Sequence, residues 1–494
     1  METNYGTVYL CSSALPVYGN EENGVVGGIA AESKYFQDTA VMPVIDGCTV
    51  SASVNGEKNK SIIGGGIVGK AEGRVTNNKF TYGITLLQVI AKFKNIIGEK
   101  LSRELRASNN WWPTKAENSF DGDGANVNAN TDAQYDNVLD SQEELAALLS
   151  TQHNQKGKKY KISNSFTVCS ETWKYGSKHD NLNSTSEHPD GNLLCELDGN
   201  NMTITLDGTE TVEIPTGQSN DGKATATESK TTCSMLFSNI MGSVHDLTIY
   251  LAKPLIAKPS TNANNILNAV DAIAPLAYAV TGENAKISNI KVKMAAENYI
   301  QAAMPAGVVC WAYGGATVEK CQVKGTILSW LPKTGVENEE GEGTTSDAIR
   351  YAGGIVALAA KASIRECIFH SSTNTLKQSY NTSNTVYYGG ILGGTRQKKS
   401  TTGNTEDPEV SLIDCISWLT PSDDEKTKGT VIGYAVFTKD NKEMNGTVTT
   451  GNDACQGNWW NTTYPGVMKK VSDKKIEEVI GTCNSYTPKP DTEY

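Results

Sequence analysis

The chain has 494 residues, with 44 Lys and Arg against 55 Asp and Glu, 5 His, 11 Cys and 46 Gly; 38% of its residues are apolar and 20% charged. That length accommodates about two to four ordinary domains or one long repeat domain. A formal net charge of −11 excludes the broad basic surface that phosphate-driven nucleic-acid binding needs, so no nucleic-acid partner is expected. No apolar run approaches the roughly 20 residues of a bilayer span, and the opening METNYGTVYL has neither the basic flank nor the apolar core of a signal peptide.

From residue 27 onward a two-part pattern recurs. Its first part is a small-residue strand, at Gly27-Gly28-Ile29, Gly65-Gly66-Ile67, Ala306-Gly307-Val308, Gly353-Gly354-Ile355 and Gly389-Gly390-Ile391, with looser versions at Met235-Leu236-Phe237 and Ala274-Pro275-Leu276. Its second part is a strand in which apolar residues flank a variable slot: Ile45/Cys48/Val50, Val75/Asn78/Phe80, Val244/Leu247/Ile249, Ile287/Ile290/Val292, Val318/Cys321/Val323, Ile364/Cys367/Phe369 and Leu412/Cys415/Ser417. Short strands joined by loops of variable length, without intervening helices, point to an all-β parallel solenoid rather than a doubly wound α/β sheet. A β-sandwich or barrel would explain the alternation but not one register shared by seven copies. Glycines in the first part let the chain turn a corner or pack without a Cβ.

Between the repeats lie longer segments. Gly83 to Trp112 parallels Gly429 to Trp460: both begin with Gly and apolar residues and end in Asn-Trp-Trp. Each reads as the closing element of a module, with the tryptophans covering the last coil. Leu86, Ile90, Phe93, Ile97 and Leu101 alone would suggest an amphipathic helix, but the alignment with GTVIGYAVF favours strands. Thr114 to Asn137 is rich in Asp, Asn and Gly and reads as a linker. Asp140-Ser141-Gln142-Glu143-Glu144 then offers a capping box before ELAALL, so a short helix is expected to plug the end of the second module. Tyr160-Lys161-Ile162 and Leu197 to Ile204 look like first coils. The expected organisation is terminal coils of a first module at 1–112, a linker at 113–139, a complete module at 140–470 and a tail at 471–494.

The copies GGIVGKAEGRVTNNKFTYG (65–83), AGVVCWAYGGATVEKCQVKGTI (306–327) and GGIVALAAKASIRECIFHSS (353–372) resemble GLUG-motif repeats, found in large bacterial surface proteins, notably of Bacteroidota. LDGNNMTITL, preceded by a capped helix, is similar to the entry of a right-handed parallel β-helix of the pectate-lyase-like superfamily. The resemblance covers most of 24–83 and 195–420 and implies a right-handed parallel β-helix. That superfamily includes adhesins, lyases, glycosidases and phage tailspikes, so the fold alone assigns no reaction. The GLUG motif carries no catalytic set to transfer. Insertions at 51–60, 330–350, 372–386 and 394–411 depart from a compact repeat.

Candidate chemistry is sparse. Cys48, Cys321, Cys367 and Cys415 share the inward slot, which suits buried structural thiols, although stacking leaves a disulfide between coils open. Asp46, Asp246, Glu319, Glu366 and Asp414, with His245 and Arg365 beside two of them, are expected to face solvent on successive coils, as a solvated face or as an acid–base site. Asp121-Gly122-Asp123-Gly124-Ala125-Asn126 supplies hard oxygens for a Ca2+ ion but lacks the terminal glutamate of a twelve-residue calcium loop. His179-Asp180 and His188-Pro189-Asp190 lack tetrahedral zinc spacing, so no metal ligands are assigned. Trp311, Tyr313, Trp330, Tyr351, Tyr387 and Tyr388 fall in loops or beside repeat strands, where exposed rings stack on sugars or anchor a protein and buried ones add to the core. The expected function is a non-enzymatic extracellular, cell-surface segment of an adhesin or filament, its loops binding glycans, host proteins, or neighbouring modules or subunits. The alternatives are a polysaccharide lyase or glycoside hydrolase on the same scaffold and a phage tail fibre or tailspike.

Overall fold

The computed structural model describes Met1–Trp460 apart from residues 37–38, 58–59, 92, 116–133, 177–190, 219–223, 258–271, 303, 330–349, 371–375, 379–385, 396–397, 400–404, 407–409, 418–427, 430–431, 436–443, 446–454 and 457–458. The described chain is mostly β, in parallel-strand sheets, with two short helices, α1 (Leu86–Ile90) and α2 (Gln142–Ser150). The longest antiparallel pair is a hairpin of Thr211–Gln218 with Ala224–Thr231. Neither helix is long and apolar enough to cross a membrane. Two compact units form, Met1–Ser165 with Cys195–Asn200, and Phe166–Leu194 with Asn201–Tyr494.

In the second unit the aligned residues stand in register on neighbouring parallel strands. Val244 pairs with Ile287, Ile287 with Val318, Val318 with Ile364 and Ile364 with Leu412. Ile249, Val292, Val323, Phe369 and Ser417 form a second row. All of these residues are at most 1% exposed, so each rung buries its apolar side chains against the rungs above and below, at about 25 cal/mol per Å² removed from water.

The first unit repeats the scheme and adds copies that the sequence pattern missed. Val8 pairs with Ile45 and Ser13 with Val50, which makes Val8/Cys11/Ser13 one further copy. Val75 pairs with Ala107, and Lys79 bridges Trp111, so the Asn-Trp-Trp ending is itself a rung. In the second unit Ile416 pairs with Trp459 and Ser417 with Trp460, the equivalent register. The slot of the first unit is polar and satisfied: Asn78 Oδ1 accepts from Cys48 N–H (2.9 Å), Asn110 Oδ1 accepts from Asn78 N–H (3.0 Å), and Asn110 Nδ2 donates to Val75 O (2.9 Å). A buried amide is tolerated there because each of these polar groups has a partner one rung away.

The residue before each slot turns the corner. Leu10, Asn77, Asn109, Asp246, Asn289, Lys320, Glu366 and Asp414 all have φ between 50° and 57°, and Gly47 has φ 67°. This left-handed conformation suits Gly, Asn and Asp and costs other L-residues about 1–2 kcal/mol. Leu10 is both bulky and exposed, so Leu10→Asn is expected to raise the thermal stability of the first unit by about 1 kcal/mol. An unchanged melting profile would count against corner strain.

The GGI segments need their second glycine for space. An added Cβ at Gly28 would lie 2.4 Å from Gly66 O, at Gly66 2.1 Å from Asn95 O, and at Gly307 1.9 Å from Gly354 O. The following residue then receives two backbone donors on one carbonyl: Ile355 N–H and Val356 N–H both reach Ile391 O, at 3.0 and 2.9 Å. One looser alignment is corrected. Phe237 pairs with Ala277, and Leu236 N–H donates to Pro275 O. Leu236, not Phe237, therefore stands where the isoleucine of GGI does. Both residues are fully buried, so apolar pattern alone could not choose between registers one residue apart.

The segment 83–112 is a helix and then a strand, not strands throughout. Gln88 Oε1 accepts from Thr85 N–H at 2.5 Å to start α1. Asn95 Oδ1 holds Ile84 N–H at 3.0 Å where the chain turns back. Ile97–Ser108 then pairs with Val68–Thr76. α2 forms where the capping residues place it, with Ser141 Oγ accepting from Glu144 N–H at 3.3 Å. The reciprocal half of the box is diverted: the Glu144 carboxylate accepts from Leu87 N–H of α1 at 2.7 Å. Thr85 also bridges Val138 in parallel. Within the first unit, pairing therefore continues past the Asn-Trp-Trp ending into the strand Asn137–Leu139, which pairs with Lys159–Ile162.

Candidate functional site

The carboxylates beside the slots do not form one ladder. Asp246, Glu366 and Asp414 occupy left-handed corners in one row with Asn289 and Lys320, whereas Glu319 stands one residue earlier, in register with Arg365. That difference is visible in the aligned sequence, since Glu319, like Asp46, precedes its slot by two residues, whereas Asp246, Glu366 and Asp414 precede theirs by one.

Glu319 is the buried member of the set. Its carboxylate receives Lys286 Nζ at 2.7 Å and Arg365 Nε at 2.7 Å. Burial opposes its charge, but these two cations and their hydrogen bonds outweigh it and hold the pKa below the usual glutamate value. Asp246 follows the same logic: burial raises its pKa, but hydrogen bonds with Asn289 Nδ2 and His245 Nδ1 hold it down. Asp46 accepts from Thr76 Oγ1 at 2.5 Å and Asn77 Nδ2 at 2.8 Å. Glu366 faces Lys320 at 3.8 Å, and Asp414 is exposed. Four of the five acids are thus tied to cations or amides on adjacent rungs. A general acid needs the opposite environment, one that raises its pKa.

Glu319→Gln is expected to cost about 1 kcal/mol at neutral pH, a modest figure because Lys286 and Arg365 are both half-exposed and can be solvated instead. Since the folded pKa is depressed, the contribution is present above the unfolded value and is lost as pH falls through the folded one. Unfolding curves of variant and parent should therefore differ at neutral pH and converge in acid; a gap that persists in acid would contradict an ionic role.

The aromatic candidates separate into different environments. Trp311 is 5% exposed and Tyr388 is 1% exposed, so both rings belong to the core and neither offers a face to a ligand. Trp311 is fixed on the strand Val309–Glu319 between Ala279 and Leu358 of the adjacent rungs, whose small and apolar side chains admit its ring. Tyr313 and Tyr351 are half-buried. Tyr351 pairs in register with Tyr387 between the strands Arg350–Gly353 and Val386–Gly389. Trp330 and the side chain of Tyr387 lie outside the described residues, as do the 121–126, 179–180 and 188–190 segments. Trp111 and Trp112 do not cover a last rung but stand on a rung of their own within the first unit, with Trp112 buried and Lys79 Nζ 4.7 Å from the Trp111 ring centroid.

The thiols are structural in their surroundings. Cys48, Cys195, Cys233, Cys310, Cys321, Cys367 and Cys415 are buried and unbridged, while Cys11 is exposed. Burial raises the pKa of Cys48, Cys195, Cys233 and Cys310, keeping them protonated and unreactive. Brief treatment of the folded protein with a maleimide should label Cys11 and leave those seven unmodified until denaturant is added, as read by peptide mass spectrometry. Early labelling of Cys321 or Cys367 would contradict the packing of the slot.

Compared with protein-family models and with the curated proteins, the sequence finds no match in either.

Proposed function

We propose that the chain is a segment of a right-handed parallel β-helix that serves outside the cell as the repeat scaffold of a surface adhesin or filament. Its loops and outward faces contact glycans, host proteins or neighbouring modules. The observation that carries this reading is the shared register: residues aligned as GLUG-like copies stand on successive parallel strands, each inward residue over its counterpart. Such one-dimensional stacking provides length and a repeating surface. The inter-rung ties of Asp46, Asp246 and Glu319 favour a scaffold over an acid–base groove, because these acids hold adjacent rungs together.

The test is binding of the purified full chain to a glycan array and to immobilised host matrix proteins, run beside incubation with neutral and acidic polysaccharides. Binding without new reducing ends or unsaturated products is the expected result. Product formation abolished by changing Asp246 or Glu319 would replace the proposal with a polysaccharide-degrading enzyme. Absence of all binding would reduce the role to that of a spacer.

A further inference from the structure

The slot column of the first unit places Asn78 on one side of Cys48 and Cys11 on the other. The strands Thr7–Tyr9 and Ser12–Ser13 pair in register with Val44–Asp46 and Thr49–Val50. Between them, Leu10 N–H donates to Asp46 O at 3.0 Å and Thr49 N–H donates to Cys11 O at 2.8 Å, so Cys11 stands over Cys48 on the neighbouring rung. The two thiols are turned the same way, each donating to the carbonyl two residues back: Cys11 Sγ to Tyr9 O at 3.6 Å and Cys48 Sγ to Asp46 O at 3.5 Å. Tyr9 and Asp46 are themselves paired, and the Cys48 thiol interacts with both the backbone and the side chain of Cys11. Parallel neighbours lie about 4.8 Å apart, inside the Cα separation of about 4.4–6.8 Å that a disulfide spans.

The pair is asymmetric: Cys11 is exposed, whereas Cys48 is fully buried. Among the described residues, Thr3–Asn4, Thr7–Tyr9, Ser12–Ser13 and Val17–Gly19 pair on one side only, with the rung that follows. One thiol therefore faces solvent along the stacking direction and the other lies directly behind it. The second unit holds a longer column, in which Cys367 meets both Cys321 and Cys415 and all three thiols turn toward the carbonyl two residues back, at 3.3, 3.3 and 3.4 Å. Those three are fully buried, so a reagent in solution has no thiol there to attack. Stacking is common to both columns, and access belongs to Cys11 alone.

We propose that Cys11 and Cys48 are a redox modification site that reacts with small-molecule disulfides and closes as a disulfide between two rungs. The inference goes beyond the scaffold reading and does not depend on what the loops bind. In the first step the Cys11 sulfur attacks one sulfur of the reagent: a bond from Cys11 to the reagent forms, the reagent's own S–S bond breaks, and its other half leaves as a thiol with the proton that Cys11 gave up. In the second step the Cys48 sulfur attacks the Cys11 sulfur, the mixed disulfide breaks, and the second half leaves as a thiol with the proton from Cys48. The two cysteines lose two electrons and two protons, and the reagent gains them. Burial raises the Cys48 pKa and makes it a poor nucleophile toward reagents in solution. Its target sulfur, however, is held beside it, and proximity takes the place of concentration. The leaving sulfur sits on the solvent side of Cys11, opposite Cys48, which suits an in-line exchange and lets the product thiol depart. The bond ties a rung that is paired on one side to its neighbour, and in an oxidising compartment it persists.

The experiment incubates the reduced full chain, freed of reductant, with oxidised glutathione and follows it by intact-protein and peptide mass spectrometry. Expected is a product lighter than the reduced chain by two hydrogens, with the Cys11 and Cys48 peptides linked, Cys11 closed to maleimide, and Cys321, Cys367 and Cys415 still thiols. The melting transition of the first unit should rise by about 5–10 °C on closure. Cys48→Ser should stop at the mixed disulfide, carrying one glutathionyl group on Cys11 and showing no such rise. Cys11→Ser changes an exposed side chain, so its fold is not at stake, and it should neither react nor shift in melting. The proposal is overturned if the parent stops at the mixed disulfide, if Cys11 links instead to Cys11 of a second chain, if Cys11→Ser still gains a disulfide, or if the parent does not react.

Discussion

Gly354→Ala is expected to lower the stability of the second unit by about 3 kcal/mol. The backbone at Gly354 is not left-handed, so the cause is space alone. An added Cβ would lie 1.9 Å from Gly390 O and 2.5 Å from the Phe369 ring. Neither neighbour can withdraw cheaply. Gly390 belongs to the next rung, whose residue Ile391 accepts the double hydrogen bond at the bend, and Phe369 is fully buried in an in-register row. Gly282→Ala isolates the other role of glycine: nothing lies within 4 Å of an added Cβ there, but φ is 109°. That change should cost less, about 1–2 kcal/mol, from backbone strain alone. Chemical denaturation of the two variants beside the parent gives the comparison. Equal losses would mean that the GGI segments are not held by backbone-to-backbone stacking.

Glu144→Gln is expected to stabilise the first unit at neutral pH and to remove most of its alkaline sensitivity. Glu144 is buried on α2, and burial pushes its pKa up to about 8, against the lowering effect of hydrogen bonds from Thr85 and the Leu87 backbone and with a further push from Asp140. The folded state therefore holds the proton more tightly than the unfolded chain, whose value is near 4.5. The stabilisation associated with that proton is complete below the unfolded pKa and is lost as pH rises through the folded one. At pH 7 the cost reaches as much as about 3 kcal/mol, at 1.36 kcal/mol per pKa unit. Glutamine keeps an acceptor for Leu87 N–H without a charge to desolvate. Asp140, whose pKa burial also raises, and Tyr82, pushed up to about 12, face the same region and leave a residual pH dependence. Melting temperatures of parent and variant across the range between the two glutamate values should converge in acid and separate toward alkali. Parallel curves would contradict the assignment.

Much of the arrangement was legible because apolar and small residues recur at fixed offsets. All seven copies of the slot pattern stand in the register that their alignment implies where pairing is described, from Ile45 over Val75 to Ile364 over Leu412. The misses have local causes. Val8/Cys11/Ser13 escaped because a serine fills an apolar position, and Cys11 is exposed where its counterparts are buried. The left-handed corner was signalled by Asn77, Asn109, Asp246, Asn289 and Asp414, yet Lys320 and Glu366 at the same place obscured it. Trp311 is buried between Ala279 and Leu358 and Tyr388 beside Ala352, partners that lie on neighbouring strands, and nothing local in the chain distinguishes such a site from an exposed one.

The sequence by itself determined the all-β class, the repeating register and the inward slot, since these depend on periodicity and side-chain volume within short segments. Only the tertiary structure decided which charges meet. Glu319 reaches Lys286 and Arg365, 33 and 46 residues away in sequence, because strands far apart in the chain become neighbours about 4.8 Å apart.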